Sequence, residues 1–109
     1  MNYRVELSQI ARDAIYKYVR FIAIERQSPL SAERWLQKVW QAVDSLETLP
    51  HRCPLAPENE HRQYEIRMRV VGDYLLLYTV DEPAKTVHII GFRHGHRLPR
   101  PSELPQDLR

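Results

Sequence analysis

Nothing in this chain is long enough and apolar enough to span a membrane. The longest run without Asp, Glu, Lys or Arg is seven residues, Tyr74–Val80, matched by Thr86–Phe92, whereas a spanning helix needs about 20 apolar residues. The first residues, Met1-Asn2-Tyr3-Arg4-Val5-Glu6, hold no apolar core of a signal peptide. Cysteine occurs once, at Cys53, which excludes an internal disulfide and a zinc site made of several cysteines. Internal repeats and low-complexity tracts are missing too. These absences lead to the expectation of a cytoplasmic protein with no membrane partner, no metal and no cofactor.

One further absence is local. Between Pro83 and Ser102 there is no acidic residue, while Lys85, Arg93, Arg97 and Arg100 lie there with His88, His94 and His96. The whole chain balances 16 Lys and Arg against 14 Asp and Glu, a net charge of +2. That balance does not by itself demand a nucleic-acid partner, but its concentration in the C-terminal third creates a local positive field.

What remains describes one folded domain. A chain of 109 residues, 43% hydrophobic and 28% charged, has a globular composition. It buries about two-thirds of its unfolded surface, enough for a core without staples. Prolines at 29, 50, 54, 57, 83, 99, 101 and 105 divide it, because proline is costly inside helices and central strands. In residues 3–7, Tyr3, Val5 and Leu7 alternate with Arg4 and Glu6, the period of a half-buried strand. Ser8 can cap a helix, and Ala11, Ile15, Val19 and Ile22 draw an apolar stripe over about residues 8–26. Ser28-Pro29 is a favoured helix start. Ala32, Leu36, Val39, Val43 and Leu46 carry that second helix to near Leu49, and the short link makes the pair a helical hairpin.

The segment 50–63, with three prolines, predicts a loop. The period then becomes two. Tyr64, Ile66, Met68 and Val70 point one way, and Glu65, Arg67 and Arg69 the other. Val71-Gly72-Asp73 predicts a turn, Tyr74–Val80 a central strand, Asp81–Lys85 a hairpin loop and Thr86–Phe92 a third strand. The fold class is α+β in the order β-α-α-β-β-β. An antiparallel sheet, made of the N-terminal strand and a three-stranded C-terminal meander, packs on an N-terminal helical hairpin. The other sheet face is expected to carry Arg67 and Arg69, with His88 beside them. The domain should cover residues 1–98, and residues 99–109 should form an extended tail.

This order resembles the RelE/ParE superfamily of toxins from bacterial type II toxin–antitoxin modules, over about residues 1–98. The resemblance rests on Leu7-Ser8 through Ala11 and Asp13-Ala14-Ile15, on Ser28-Pro29 with Ala32, and on the Leu46-to-Pro50 exit with Pro54. It continues with Tyr64-Glu65-Ile66-Arg67, Gly72-Asp73-Tyr74 and Leu77-Tyr78. It ends with Phe92-Arg93-His94-Gly95-His96-Arg97, where the His-Gly-x-Arg ending is the strongest piece. It implies a growth-inhibiting toxin neutralised by a cognate antitoxin, in a toxin–antitoxin hetero-oligomer. The antitoxin's C-terminal segment is expected to wrap the toxin along its sheet and helices. ParE-like members poison DNA gyrase; RelE-like members cleave messenger RNA in the ribosome. Arg67 matches a basic position of the RelE-like pattern. Glu65 stands where those toxins put a lysine, Leu75 where they carry an arginine, and Leu98 follows Arg97 where a tyrosine is usual. These departures favour the ParE-like reading over the ribonuclease, with a non-toxic antitoxin-binding module as a third possibility.

The candidate residues follow. Arg67 and Arg69 form a basic patch for gyrase, nucleic acid or an acidic antitoxin segment, or a solvated sheet face. In the ribonuclease reading Arg67, Arg69, His94 and Arg97 are the catalytic candidates, with imidazole as acid or base and arginine stabilising phosphorane-like charge. Arg93, His96, Arg97 and Arg100 are candidate contacts to target or antitoxin. His94 and His96 lack a third ligand nearby, so no metal site is expected. Trp35 is expected in the core. Trp40 either packs on the first helix or marks an antitoxin groove. His51, His61 and Cys53 belong to the proline loop as ordinary side chains. An open strand edge in the meander could take an antitoxin segment as an added strand.

Overall fold

The computed structural model describes residues 2–61 and 64–95. Its elements are β1 (Arg4–Leu7), α1 (Gln9–Arg20), α2 (Pro29–Ser45), β2 (Arg67–Val71), β3 (Tyr74–Asp81) and β4 (Thr86–His94). The expected tail 99–109 and the side chains of His61, His96, Arg97 and Arg100 lie outside the described residues.

The first helix starts as its sequence dictates. Ser8 stays extended and its hydroxyl accepts a hydrogen bond from the Ala11 backbone N–H at 3.1 Å. Ala11 and Ile15 are fully buried. The helical run continues past α1 as a π-helical turn, Phe21–Glu25, which brings Ile22 into the core. Pro29 occupies the first turn of α2. Ser28 bonds the Ser31 hydroxyl instead of a backbone N–H. Ala32, Val39, Ala42 and Leu46 form the buried stripe. No basic residue sits in the last turn of α2. Arg52, seven residues beyond its end, supplies the missing cation and donates to the carbonyls of Ser45, Thr48 and Leu49.

The sheet order is β1-β4-β3-β2. The meander β2-β3-β4 is antiparallel, as the short loops require. β1 pairs with β4 in parallel, Val5 opposite Val87, so the sheet is mixed rather than wholly antiparallel. The reason is topological. The chain leaves α2 beside the start of β1, where Tyr3 N–H donates to Glu47 O at 2.8 Å, and β2 then runs in the direction of β1. Two reversals later β4 runs that way again.

The helix side of the sheet carries the main core, with Val71, Leu76, Tyr78, Val87, Ile89 and Phe92 against Ala11, Ile15, Val39, Ala42 and Leu46. Tyr74 and Phe92 stack at 5.4 Å, and Tyr18 and Trp35 meet both edge-on. Trp35 is therefore core, as expected. Across the sheet lies a second, smaller core of Ala56, Ile66, Leu77 and Ile90, flanked by Tyr64, Met68 and Leu75. Its lid is the proline segment, which is more ordered than a simple loop. Pro50–Arg52 and Pro57–His61 form 3₁₀ turns. Leu55 bridges Arg67, Ala56 N–H donates to Ile66 O and Met68 N–H to Pro54 O.

The two cores are set by a β-bulge. Leu77 pairs with Gly91, yet Tyr78 pairs with Ile89, so Ile90 is the extra residue in β4. Before it, Val87 and Ile89 face the helices. After it Phe92 does, and Arg93 is turned to the second face.

Tyr78 is fully buried and its hydroxyl donates to Pro50 O at 2.5 Å. Burial raises its pKa well above the usual phenol value. Tyr78→Phe leaves that carbonyl without its donor and should cost about 1–3 kcal/mol, read as a lower urea midpoint with unchanged slope.

Candidate functional site

The two strand arginines do not lie where alternation alone put them. Residues directly opposite in an antiparallel pair share a face. Arg67 is opposite Tyr78 and Arg69 opposite Leu76, so both project to the helix side, and the expected open basic face is corrected. Beyond the end of α2 the helical layer no longer covers β2, and the chain offers acceptors there instead of apolar side chains. The Arg67 guanidinium donates to Cys53 O at 2.7 Å and lies 3.5 Å from Glu65. Arg69 Nε reaches Ser45 Oγ at 3.4 Å, at the last residue of α2, and its Nη1 donates to Val70 O at 2.8 Å. His88 does face the other side, 3.7 Å from Glu6.

These groups frame an open groove of about 480 Å³ lined by Arg52, Cys53, Pro54, Met68, Arg69 and Val70. Val70 on its wall is 50% accessible, and Leu55, next to Pro54 in sequence, and Leu49, whose carbonyl accepts from Arg52, are 44% and 69% accessible. Leu49 also has a left-handed backbone, φ 50°, a conformation that costs a non-glycine residue about 1–2 kcal/mol. β2 is an edge strand. Arg67, Arg69 and Val71 bond inward, so Met68 and Val70 point outward. Met68 N–H is taken by Pro54 O. Past that point no described strand pairs with the outer edge of β2, where Val70 O accepts only from Arg69 Nη1 among the bonds seen at the described residues.

Arg93 is not part of an exposed corner. It is 3% accessible and Glu58 1%. Arg93 Nε donates to Glu58 Oε2 at 2.7 Å, Nη2 to Oε1 at 3.2 Å, and Nη1 to His94 O at 3.2 Å. Sequence reasoning missed Glu58. The available signal was a lone arginine at the end of an apolar strand, facing a carboxylate in the proline segment.

His94 is half-buried and edge-on to Tyr74 at 5.1 Å. Arg67 lies opposite Tyr78 and His94 opposite Tyr74, four residues apart along β3 or about 13 Å. The catalytic candidates Arg67 and His94 are thus held apart, with Arg97 outside the described residues. Trp40 is half-buried with its ring edge-on to Tyr16 of α1. Among the described residues, no group of three or more His, Cys, Asp or Glu could hold a metal. No described helix is long and apolar enough to cross a membrane.

His51 belongs to a cluster that the sequence did not disclose. Glu82 receives Tyr3 OH at 2.7 Å and Lys85 Nζ at 2.6 Å, and His51 Nε2 lies 2.5 Å away. Three chain segments meet on this carboxylate. The bonds from Lys85, Tyr3 and His51 lower its pKa from 4.5 to about 2.

The sequence matches, over residues 5–99, the family described as the ParE toxin of the type II toxin–antitoxin system parDE. The chain belongs to the ParE toxin family. It is similar to a chain of the toxin–antitoxin complex RelBE2 from Mycobacterium tuberculosis, with 27% identity and a TM-score of 0.59, covering 86% of this chain and 92% of that one. The fold also resembles a chain of the archaeal RelE–RelB complex from Pyrococcus horikoshii, with 17% identity and a TM-score of 0.58, covering 90% of this chain and 100% of that one. No curated protein matches the sequence. The toxin's groove, open strand edge and buried ion pair are thus features of a ParE-family fold.

Two outcomes test this geometry. Glu58→Ala strands the Arg93 charge in the second core and should cost about 3–5 kcal/mol in urea unfolding. Glu82 takes its proton near 4.5 when unfolded but near 2 when folded, so its contribution is complete above 4.5 and disappears as pH falls toward 2. The stability difference between the toxin and its Glu82→Gln variant, modest because the group is exposed, should therefore be present at about pH 6 and shrink steadily from about pH 4.5 down to about pH 2.

Proposed function

We propose that this ParE-family toxin inhibits growth by poisoning DNA gyrase through protein–protein contact, trapping cleaved DNA. The basic segment after β4, with His96, Arg97 and Arg100, engages the target. A cognate antitoxin silences the toxin by laying an acidic, apolar segment along the β2 edge and into the groove of Arg52 and Arg69. The observation that carries this reading is the state of the arginines. Arg67, Arg69 and Arg93 are already bound to a carbonyl, a hydroxyl or a carboxylate of the protein. Such groups are framework for a docking surface rather than cations converging on a scissile phosphate. The groove supports the antitoxin half of the reading, because it joins exposed apolar side chains and two guanidinium groups to an open strand edge. Similarity to a chain from a toxin–antitoxin complex is consistent with it.

Inducing the toxin alone in bacterial cells tests the target. Replication should fail first, with DNA damage and gyrase trapped on DNA, and co-expressed antitoxin should prevent it. Early loss of protein synthesis with cut transcripts and intact DNA would replace this reading by ribonuclease action. Normal growth with confirmed expression would leave an antitoxin-binding module. For the antitoxin surface, Val70→Pro removes an outward N–H. It should weaken antitoxin binding at least about tenfold in calorimetry, the equivalent of one lost strand hydrogen bond.

A further inference from the structure

We propose that the cavity at the start of β2 is a binding site for a single unpaired nucleobase, cytosine by its hydrogen-bonding pattern, read by Glu65, Arg67 and Thr79. The base comes from a free nucleotide or from a single strand, and the chemistry these share is the ring with its amino group. This goes beyond the reading above and does not depend on it.

The cavity exists because β2 starts late. Its first residue, Arg67, pairs with Tyr78 of β3. Extending that register would set Glu65 opposite Val80, yet residues 64–66 lie outside the strand. Ile66 is held from the other side. Its N–H donates to Asn59 Oδ1 at 2.9 Å and its carbonyl accepts from Ala56 N–H at 2.7 Å. The gap that remains is a cavity of about 170 Å³ lined by His51, Tyr64, Glu65, Arg67, Thr79 and Val80. His51 is fixed in that wall by Glu82. A cavity of about 150 Å³ takes one benzene molecule, so this space is the size of one ring.

Thr79 marks this space as more than a packing gap. It is 2% exposed, and no hydrogen bond is seen from its hydroxyl to any described residue. A buried hydroxyl left unpaired is costly and calls for an explanation, and a polar occupant supplies it. The charges narrow the choice. Arg67 and Glu65 line the same space 3.5 Å apart. An anion there meets the carboxylate, a cation meets the guanidinium, and an apolar ring leaves Thr79 unpaired. An uncharged ring with a donor beside an acceptor suits both side chains. Arg67 is fixed through Nη1 on Cys53 O, which leaves Nη2 as the donor beside Glu65. Cytosine is the complement. Its exocyclic amino group donates to a carboxylate, and the adjacent ring nitrogen accepts from the guanidinium. The Thr79 hydroxyl donates to the remaining carbonyl of the ring. Uracil and thymine replace the amino group by a carbonyl, which the Glu65 carboxylate repels. Adenine and guanine carry a second ring, beyond the one that fits.

The test titrates the toxin with cytidine monophosphate and with uridine monophosphate, followed by NMR of the backbone amides. The two share ribose and phosphate, so their difference isolates the base. The amides of Arg67, Thr79 and Val80 should shift with cytidine monophosphate, and its Kd should be about tenfold lower than that of uridine monophosphate. Thr79→Val replaces the hydroxyl by a methyl group. It should keep or raise Tm, because an unpaired buried group is gone, and weaken cytidine monophosphate at least about fivefold. Glu65→Gln presents an amide that donates as well as accepts, so the preference for cytosine over uracil should disappear. Its side chain is 62% exposed, and this variant carries the test if Thr79→Val does not fold. A short oligodeoxycytidine that binds more tightly than the monophosphate identifies a single strand as the source of the base, and weaker binding identifies the free nucleotide. Equal affinity for the two monophosphates overturns the proposal. So do shifts confined to the groove of Arg52 and Arg69, the mark of phosphate binding alone, or a folded Thr79→Val variant that binds as wild type does. None of these results touches the gyrase reading, which growth inhibition on induction decides.

Discussion

One extra residue in β4 decides what the second face of the sheet can be. With Ile90 inserted opposite the Leu77–Tyr78 step, Phe92 joins the aromatic cluster on the helix side while Arg93 turns the other way. Without the bulge, strict alternation would put Arg93 in line with Val87 and Ile89, inside the main core and beneath the helices. A guanidinium there would meet Tyr18 and Trp35 and find no carboxylate. The bulge thus separates an apolar core that tolerates no charge from a smaller one built around an ion pair. Both layers depend on that separation, because β4 is the strand that pairs β1 and β3 and touches every layer.

The second layer explains why a domain with two helices has a sheet buried on both sides. The proline segment covers Ile66, Leu77 and Ile90 with Ala56 and with Glu58, which is matched by Arg93. Proline suits this duty. It removes backbone donors that a buried loop would otherwise have to satisfy, and the remaining donors find Ile66 O and Pro54 O on the edge of β2. The same bonds use up part of that edge. Pairing with residues 54–56 covers β2 near Arg67 and stops before Val70, so the open stretch is short and flanked by cations. An edge limited in this way resists indiscriminate association.

Much of this was legible in the sequence where one period dominates. The stripe Ala11, Ile15, Val19 and Ile22, the Ser8 cap, the Pro29 start and the meander follow from local rules, and the structure has each, Val19 only partly buried. The failures share a cause. Alternation assigns relative faces within a strand but not which face meets the helices. In β2, apolarity assigns Ile66 and Met68 to the helical core, whereas they face the second core. Arg67 and Arg69 are therefore on the helix side, satisfied by Cys53 O and Ser45 Oγ. A second apolar layer supplied by a proline loop has no periodic signature. Neither does a bulge, and the pairing of Glu58 with Arg93 is 35 residues long in sequence. The Glu82 cluster escaped for the same reason: Tyr3, His51 and Lys85 come from three separate segments.

The basic character of the chain is therefore divided by its chemistry rather than by its position. Arg52 and Arg69 gather at the C-terminal end of α2, where unpaired carbonyls carry partial negative charge and the helix has no cation of its own. Their guanidinium groups are held in place by the fold, yet only partly neutralised, since a helix terminus counts for about half a charge. Two such groups beside exposed Val70 give the groove a surface both cationic and apolar. Arg93 is buried and paired with Glu58. The groove at the β2 edge and the buried pair on β4 are thus electrostatically separate, with β3 between their strands.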